Sequence, residues 1–208
     1  MLIEENGGRN VDGKFIAALT GGVGSGKSRI LELLKDEFGA EVIQTDHVAW
    51  MLEEPGQAGY DALIRTFGRE LAGEDKRLRK DVLASMVFTD EEARQTVNRL
   101  IHPLVWQWVQ TLAGEAESSL VVVESALVLE NPGDFFDEIW YVYTLREERI
   151  RRLMESRGYS RKRCLQMMAG QPSAEAYRRC ADWIIDNNGS LESVRRQMEK
   201  RIRGKGRG

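Results

Sequence analysis

Eight consecutive residues, Gly21-Gly22-Val23-Gly24-Ser25-Gly26-Lys27-Ser28, satisfy the pattern G-x-x-x-x-G-K-[ST]. The chemistry this pattern supports is phosphate binding. Glycines let successive backbone N–H groups turn toward one point without Cβ clashes, and a helix starting there adds positive potential. Lys27 has the reach to contact the β and γ phosphates of a nucleoside triphosphate such as ATP, and the Ser28 hydroxyl can ligate magnesium. An accidental glycine turn would have no need of a strand before it and a helix after it, yet the sequence supplies both.

Two carboxylates extend this chemistry. Asp46 follows a short apolar run, at the carboxyl end of a strand where open α/β folds bind their ligands. There it can accept a proton from an attacking hydroxyl, or it can cap a helix starting near His47; the residue types leave both roles open. Glu124 ends the run Leu120-Val121-Val122-Val123 in the manner of a Walker B element and can hold magnesium through water. From Arg146 to Arg163 the chain is dense in arginine, with Glu147, Glu148 and Glu155 interleaved. Such a stretch either closes over transferring phosphates as a lid, with one or two arginines acting, or forms a solvated helix of internal ion pairs. His102 before a proline reads by itself as a packed structural residue, and Trp50 as core or pocket wall.

The elements that must position these groups are legible from periodicity. Phe15 to Thr20 is a buried strand, and Ile30, Leu31, Leu33, Leu34 and Phe38 then recur at helical spacing up to a cap at Gly39. Further strands are expected at Glu41 to Ile43, Leu120 to Val123, Ile139 to Tyr143 and Trp183 to Ile185, with helical stretches between them. Strands alternating with helices predict an α/β fold with a parallel sheet. Roughly 70 residues separate the second and third strands, more than one crossover helix needs, so a helical insert is expected over about 58–113, its pattern broken at His102-Pro103. The remaining expectations are a loose extension over 1–14, a single domain over 15–203 with a lid over about 146–172, and a disordered tail over 204–208.

Composition narrows the function classes. Apolar residues make up 42% and charged residues 30%, and no apolar run approaches the length of about 18 residues that a membrane span needs. A net charge of −3 argues against a general nucleic-acid binder. The N-terminal segment lacks the features of a secretory signal, and Cys164 and Cys180 lack CxxC spacing, so reduced thiols in the cytoplasm are expected rather than disulfides or zinc. Oligomeric state is not legible.

With these pieces placed, the chain resembles the dephospho-CoA kinase family from about Phe15 to Met198. The resemblance rests on ALTGGVGSGKS, EVIQTDHVA, EEPGQAGYDALIRTFG, IHPLV, ALVLEN, the arginine-rich stretch, Gln171 and ADWIIDNNG, in that order. It implies transfer of the γ-phosphoryl of MgATP to the ribose 3′-hydroxyl of dephospho-CoA. It also implies a five-stranded P-loop core, an inserted acceptor-binding subdomain and a small lid. Asp46 aligns with the family's catalytic carboxylate. In that picture Asp46, Lys80 and His102 serve the acceptor, Arg152 or Arg157 acts from the lid, and Asn187 and Gly189 lie near the adenine.

Departures from the family pattern gather on the acceptor side. Gln44-Thr45-Asp46 stands for Asp-Ala-Asp, Trp50 for an arginine, Ala126 for a proline and Lys80 for an arginine, which a lysine does not replace at a bidentate phosphate site. Arg29 replaces a common threonine beside the α phosphate. Two other readings therefore stand beside the first: a related kinase for another nucleoside or nucleotide, and an ATP-binding regulatory module without transfer activity.

Overall fold

Strand β1 (Phe15–Thr20) is inaccessible from Ile16 to Leu19, because both of its faces are covered, and a run of apolar residues suits that position better than an alternating one. A computed structural model describes residues 13–129 and 135–203. The extension expected over 1–14 lies, up to residue 12, outside the described residues, as do Glu130-Asn131 of the ALVLEN segment and the tail expected over 204–208.

The sheet has five strands: β1, β2 (Glu41–Gln44), β3 (Leu120–Glu124), β4 (Glu138–Tyr143) and β5 (Trp183–Asp186), in the order β2-β3-β1-β4-β5. β1 pairs in parallel with β3 and with β4, and β4 with β5. All five lie where apolar runs predicted strands. Because β1 is central, the loop that leaves it is flanked by the exits of β3 and β4, with Leu19 level with Glu124 and Thr20 level with Tyr141. Helix α1 (Lys27–Phe38) buries Ile30, Leu31, Leu33 and Leu34 against the sheet core. It ends at Gly39, whose left-handed backbone lets its N–H donate to the Leu34 carbonyl.

The described chain forms two compact units, one of residues up to Val42 and from Ala116 onward, the other of Ile43–Glu115. The first unit holds α1, α6 (Arg146–Arg157), α7 (Arg161–Ala169), α8 (Ala174–Cys180) and α9 (Leu191–Arg203) with β1, β3, β4, β5 and the start of β2. Between α6 and α7 a small apolar cluster joins Ile150, Leu153 and the free thiol of Cys164. The second unit contains α2 (Thr45–Leu52), α3 (Ala58–Phe67), α4 (Lys80–Thr89) and α5 (Glu91–Glu115). Val48, Leu52, Leu63, Leu83, Ile101, Val105 and Val109 supply its interior. The expected break at His102-Pro103 does not occur: Pro103 lies inside the 25-residue α5. Proline removes its own N–H and one backbone bond, and in a helix this long, anchored by buried Ile101, Val105 and Val109, packing outweighs that loss. Among the described residues no helix is long and apolar enough to cross a membrane.

Candidate active site

The phosphate loop is built from the carboxyl end of β1 outward. Gly26, the residue before α1, has φ 90°, a conformation that a side chain would strain, and a Cβ there would also collide with the Asn187 amide. α1 therefore begins at Lys27, with its first N–H groups at the end of the loop. Lys27 Nζ donates to the Gly21 carbonyl at 2.7 Å and stands 3.7 Å from Glu124 Oε1. The lysine is thus folded back over its own loop and faces the carboxylate that closes β3. Ser28 is exposed in the first turn of α1, and Arg29 beside it is also exposed.

Three further segments close around Ser25. Its carbonyl accepts from Thr144 Oγ1 at 3.0 Å, from Asn187 Nδ2 at 2.7 Å and from Arg152 Nη1 at 3.3 Å. Arg152 Nη2 also donates to the Asn187 carbonyl at 2.8 Å, and its Nε to Glu148 at 2.8 Å. The Asn187 N–H continues the sheet by donating to Tyr143 at 2.9 Å. Asn188 Oδ1 accepts from the Leu145 N–H at 2.8 Å, at the start of α6. The Ser25 hydroxyl is buried without a hydrogen-bond partner among the described residues, so close to Gly21 that a Cβ there would come 3.0 Å from it. Gly26, Arg29, Glu148, Arg152, Asn188 and Gly189 help line a cavity of about 550 Å³ next to this loop.

The arginine-rich stretch divides into the two roles the sequence left open. Exposed Arg151 pairs with half-buried Glu148 and with exposed Glu155, and Arg161 with exposed Glu147; the two fully exposed pairs add little. Hydrogen bonds from Arg151 and then Arg152 hold the Glu148 carboxyl down at about 2. Arg152 reaches the loop, whereas Arg157 is exposed in the last turn of α6. Arg149, which neither motif nor spacing singled out, is half-buried and donates to the Val23 carbonyl at 2.8 Å. Burial pulls its guanidinium below the ordinary arginine value, against the opposing influence of Tyr141 and Tyr177. Those two tyrosine rings stack on each other at 4.9 Å.

The second unit carries the acceptor-side candidates. Asp46 is exposed in the first turn of α2, but Gln44 holds the capping position, so the capping role is excluded. Trp50 is 54% exposed and is not core. Its ring lies 5.2 Å from that of His47, and Lys80 Nζ sits 5.9 Å over its centre and 3.1 Å from Glu53. Trp50 and Lys80, both departures from the family pattern, are therefore brought together. His102 is half-buried on α5.

The residues present fit the groups that the loop pattern implies. Ser28 and Glu124 offer hard oxygen donors suited to magnesium, and Lys27, 3.7 Å from Glu124, offers a cation suited to phosphate. Among the described residues there is no cluster of three or more histidine, cysteine or acidic side chains, so the ion would depend on phosphate oxygens and water for its remaining ligands.

Comparison with known proteins agrees in extent and in kind. The family model for dephospho-CoA kinase matches residues 15–193. A dephospho-CoA kinase from Carboxydothermus hydrogenoformans is 35% identical over 187 residues, covering 88% of this chain and 90% of that protein. A crystal structure of a Thermus thermophilus protein is 30% identical, with a TM-score of 0.80 over 94% of this chain and 99% of the other. A dephospho-CoA kinase from Campylobacter jejuni, 21% identical, superposes with a TM-score of 0.60 over 92% and 97% of the two chains and supports the fold alone.

Proposed function

The chain belongs to the dephospho-CoA kinase family, and from that premise we propose how its residues carry out ATP-dependent phosphorylation of dephospho-CoA. The observation that carries the reading is the phosphate loop, with Lys27 held between the Gly21 carbonyl and Glu124. The loop's N–H groups and Lys27 bind the β and γ phosphates of ATP. Arg152, already bonded to the Ser25 and Asn187 carbonyls, neutralises charge at the same loop. Asn187, Gly189 and Arg29 line the cavity beside the loop, and in this reading Asn187 and Gly189 border the nucleotide with Arg29 toward its α phosphate. Arg157, exposed in the last turn of α6, is the second lid arginine proposed to act on the phosphates.

The ribose 3′-hydroxyl oxygen of dephospho-CoA attacks the γ phosphorus, the bond from that phosphorus to the β–γ bridging oxygen breaks, and ADP leaves. Asp46 accepts the hydroxyl proton as the new P–O bond forms. Ser28 and Glu124 would hold magnesium, which when bound offsets phosphate charge. Lys80 and His102, on the helical unit, are proposed to bind the acceptor.

A second reading is favoured by one observation, the exposed Trp50 ring carrying Lys80 where the family has two arginines: the acceptor is then another nucleotide. The experiment supplies MgATP with dephospho-CoA, measures ADP release and identifies the product by mass. Formation of CoA is expected. ATP binding without CoA, together with turnover of another acceptor from a nucleoside and nucleotide panel, overturns the acceptor assignment.

A further inference from the structure

A loop made largely of glycine has many conformations, and a site that needs its N–H groups convergent must draw its order from elsewhere. Between Gly21 and Gly26 only Val23 and Ser25 carry side chains. Val23 is held from both sides of its backbone. Its N–H donates to Gln171 Oε1 at 2.9 Å, and its carbonyl accepts from Arg149 Nε at 2.8 Å. Arg149 Nη2 donates to the same Gln171 oxygen at 3.0 Å, which closes a ring of three bonds around one residue of the loop.

Packing reinforces the ring. The Val23 side chain joins Ile150, Leu153 and Cys164 in the apolar cluster between α6 and α7. α6 lies so close that a Cβ at Gly24 would come 2.8 Å from the Arg149 carbonyl oxygen, and a Cβ at Gly22 would occupy the space of the Arg149 guanidinium. Two of the loop's glycines are therefore needed for Arg149 to approach as well as for phosphate to bind.

We propose that Arg149 and Gln171 are positioning residues for the reaction: they grip the two backbone groups of Val23 and preset the phosphate loop for the nucleotide. The proposal rests on the reading of this loop as the nucleotide site. Their effect reaches the nucleotide through the loop's shape, since their bonds go to Val23 and to each other.

The test is calorimetric titration of MgATP without acceptor into wild type, Arg149→Lys, Gln171→Leu, the double variant and Lys27→Ala, with melting temperatures measured in parallel. Lysine keeps the charge but cannot bridge Val23 and Gln171 together, and leucine removes the shared oxygen at similar size. Each single variant is expected to lose about tenfold in MgATP affinity. The double variant should lose little more, because both side chains act on one peptide segment. In steady state the KM for ATP rises by the same factor, while kcat and the acceptor KM stay within about twofold. The proposal is overturned if both single variants bind MgATP within twofold of wild type, if the double loss equals the product of the two single losses, or if kcat falls with the ATP KM unchanged. Should one variant fail to fold, the affinity of the other decides. A normal affinity in Lys27→Ala would overturn the nucleotide-site reading itself, and because no acceptor is present these outcomes are independent of acceptor identity.

Discussion

Asp46 and Lys27 carry charge in the proposed transfer, and they should fail differently. Asp46 is exposed in the first turn of α2 with no capping duty, so replacing it removes little that holds the fold. Asp46→Asn should lower turnover about a hundredfold or more while MgATP binding stays near wild type. Lys27 already spans the Gly21 carbonyl and Glu124, and Lys27→Ala should cut turnover on the order of a hundred- to a thousandfold while also weakening MgATP. Steady-state kinetics with a parallel MgATP titration separates the two patterns. An Asp46→Asn variant with near-normal turnover would remove it as the base. Trp50 and Lys80 show how a residue's surroundings alter its reading. A single tryptophan after a strand reads as core or pocket wall, and its exposure with a lysine over its face excludes core.

At the scale of elements, the junction of β1, loop and α1 leaves no room for a side chain at its turning point. Gly26→Ala should strain the φ of 90° and push against Asn187, whose amide holds the Ser25 carbonyl. The expected result is a loss of MgATP affinity of tenfold or more with the far-ultraviolet spectrum unchanged, checked by titration and circular dichroism. α6 offers a test by pH. The Glu148 carboxyl titrates at about 2 instead of the ordinary value of 4.5, because Arg151 and Arg152 hydrogen-bond its charged form. A folded value below the unfolded one means that this carboxylate's stabilisation is full above about pH 4.5 and is lost as the pH falls toward 2. Glu148→Gln should therefore melt lower than wild type at pH 7, and the gap should narrow through that window. A gap independent of pH would show that the Glu148 charge does not contribute to stability.

For the whole molecule, the proposed nucleotide site links binding to stability, because a ligand of the folded loop does not bind the unfolded chain. At a hundred times its dissociation constant, MgATP should add about 2.7 kcal/mol, or roughly 5–10 °C in melting temperature for a chain of this size. Lys27→Ala at the same MgATP concentration should lose most of that rise, as differential scanning fluorimetry would report. The strands, the loop and the Gly39 cap were legible in the sequence because each follows from local physics: apolar runs bury, glycines turn and Gly39 ends a helix. Their parallel order was legible in kind, through the alternation of strands and helices. Pro103 was misread as a break because its local cost is real, and only the buried face of α5 shows that packing overrides it. The arginines between Arg146 and Arg163 look alike in sequence. Which of them meets the loop depends on how α6 lies across it, and that places Arg149 and Arg152 at its backbone and leaves Arg157 in solvent. Gln171, 148 residues from Val23, could be paired with it only by the tertiary structure, since nothing in local sequence connects a glutamine after α7 to a peptide after β1. Sequence alone determined the loop proposed to grip phosphate, since its pattern resides in eight adjacent residues. The tertiary structure decided what holds the grip in shape, because that depends on side chains far apart in sequence meeting within hydrogen-bond distance.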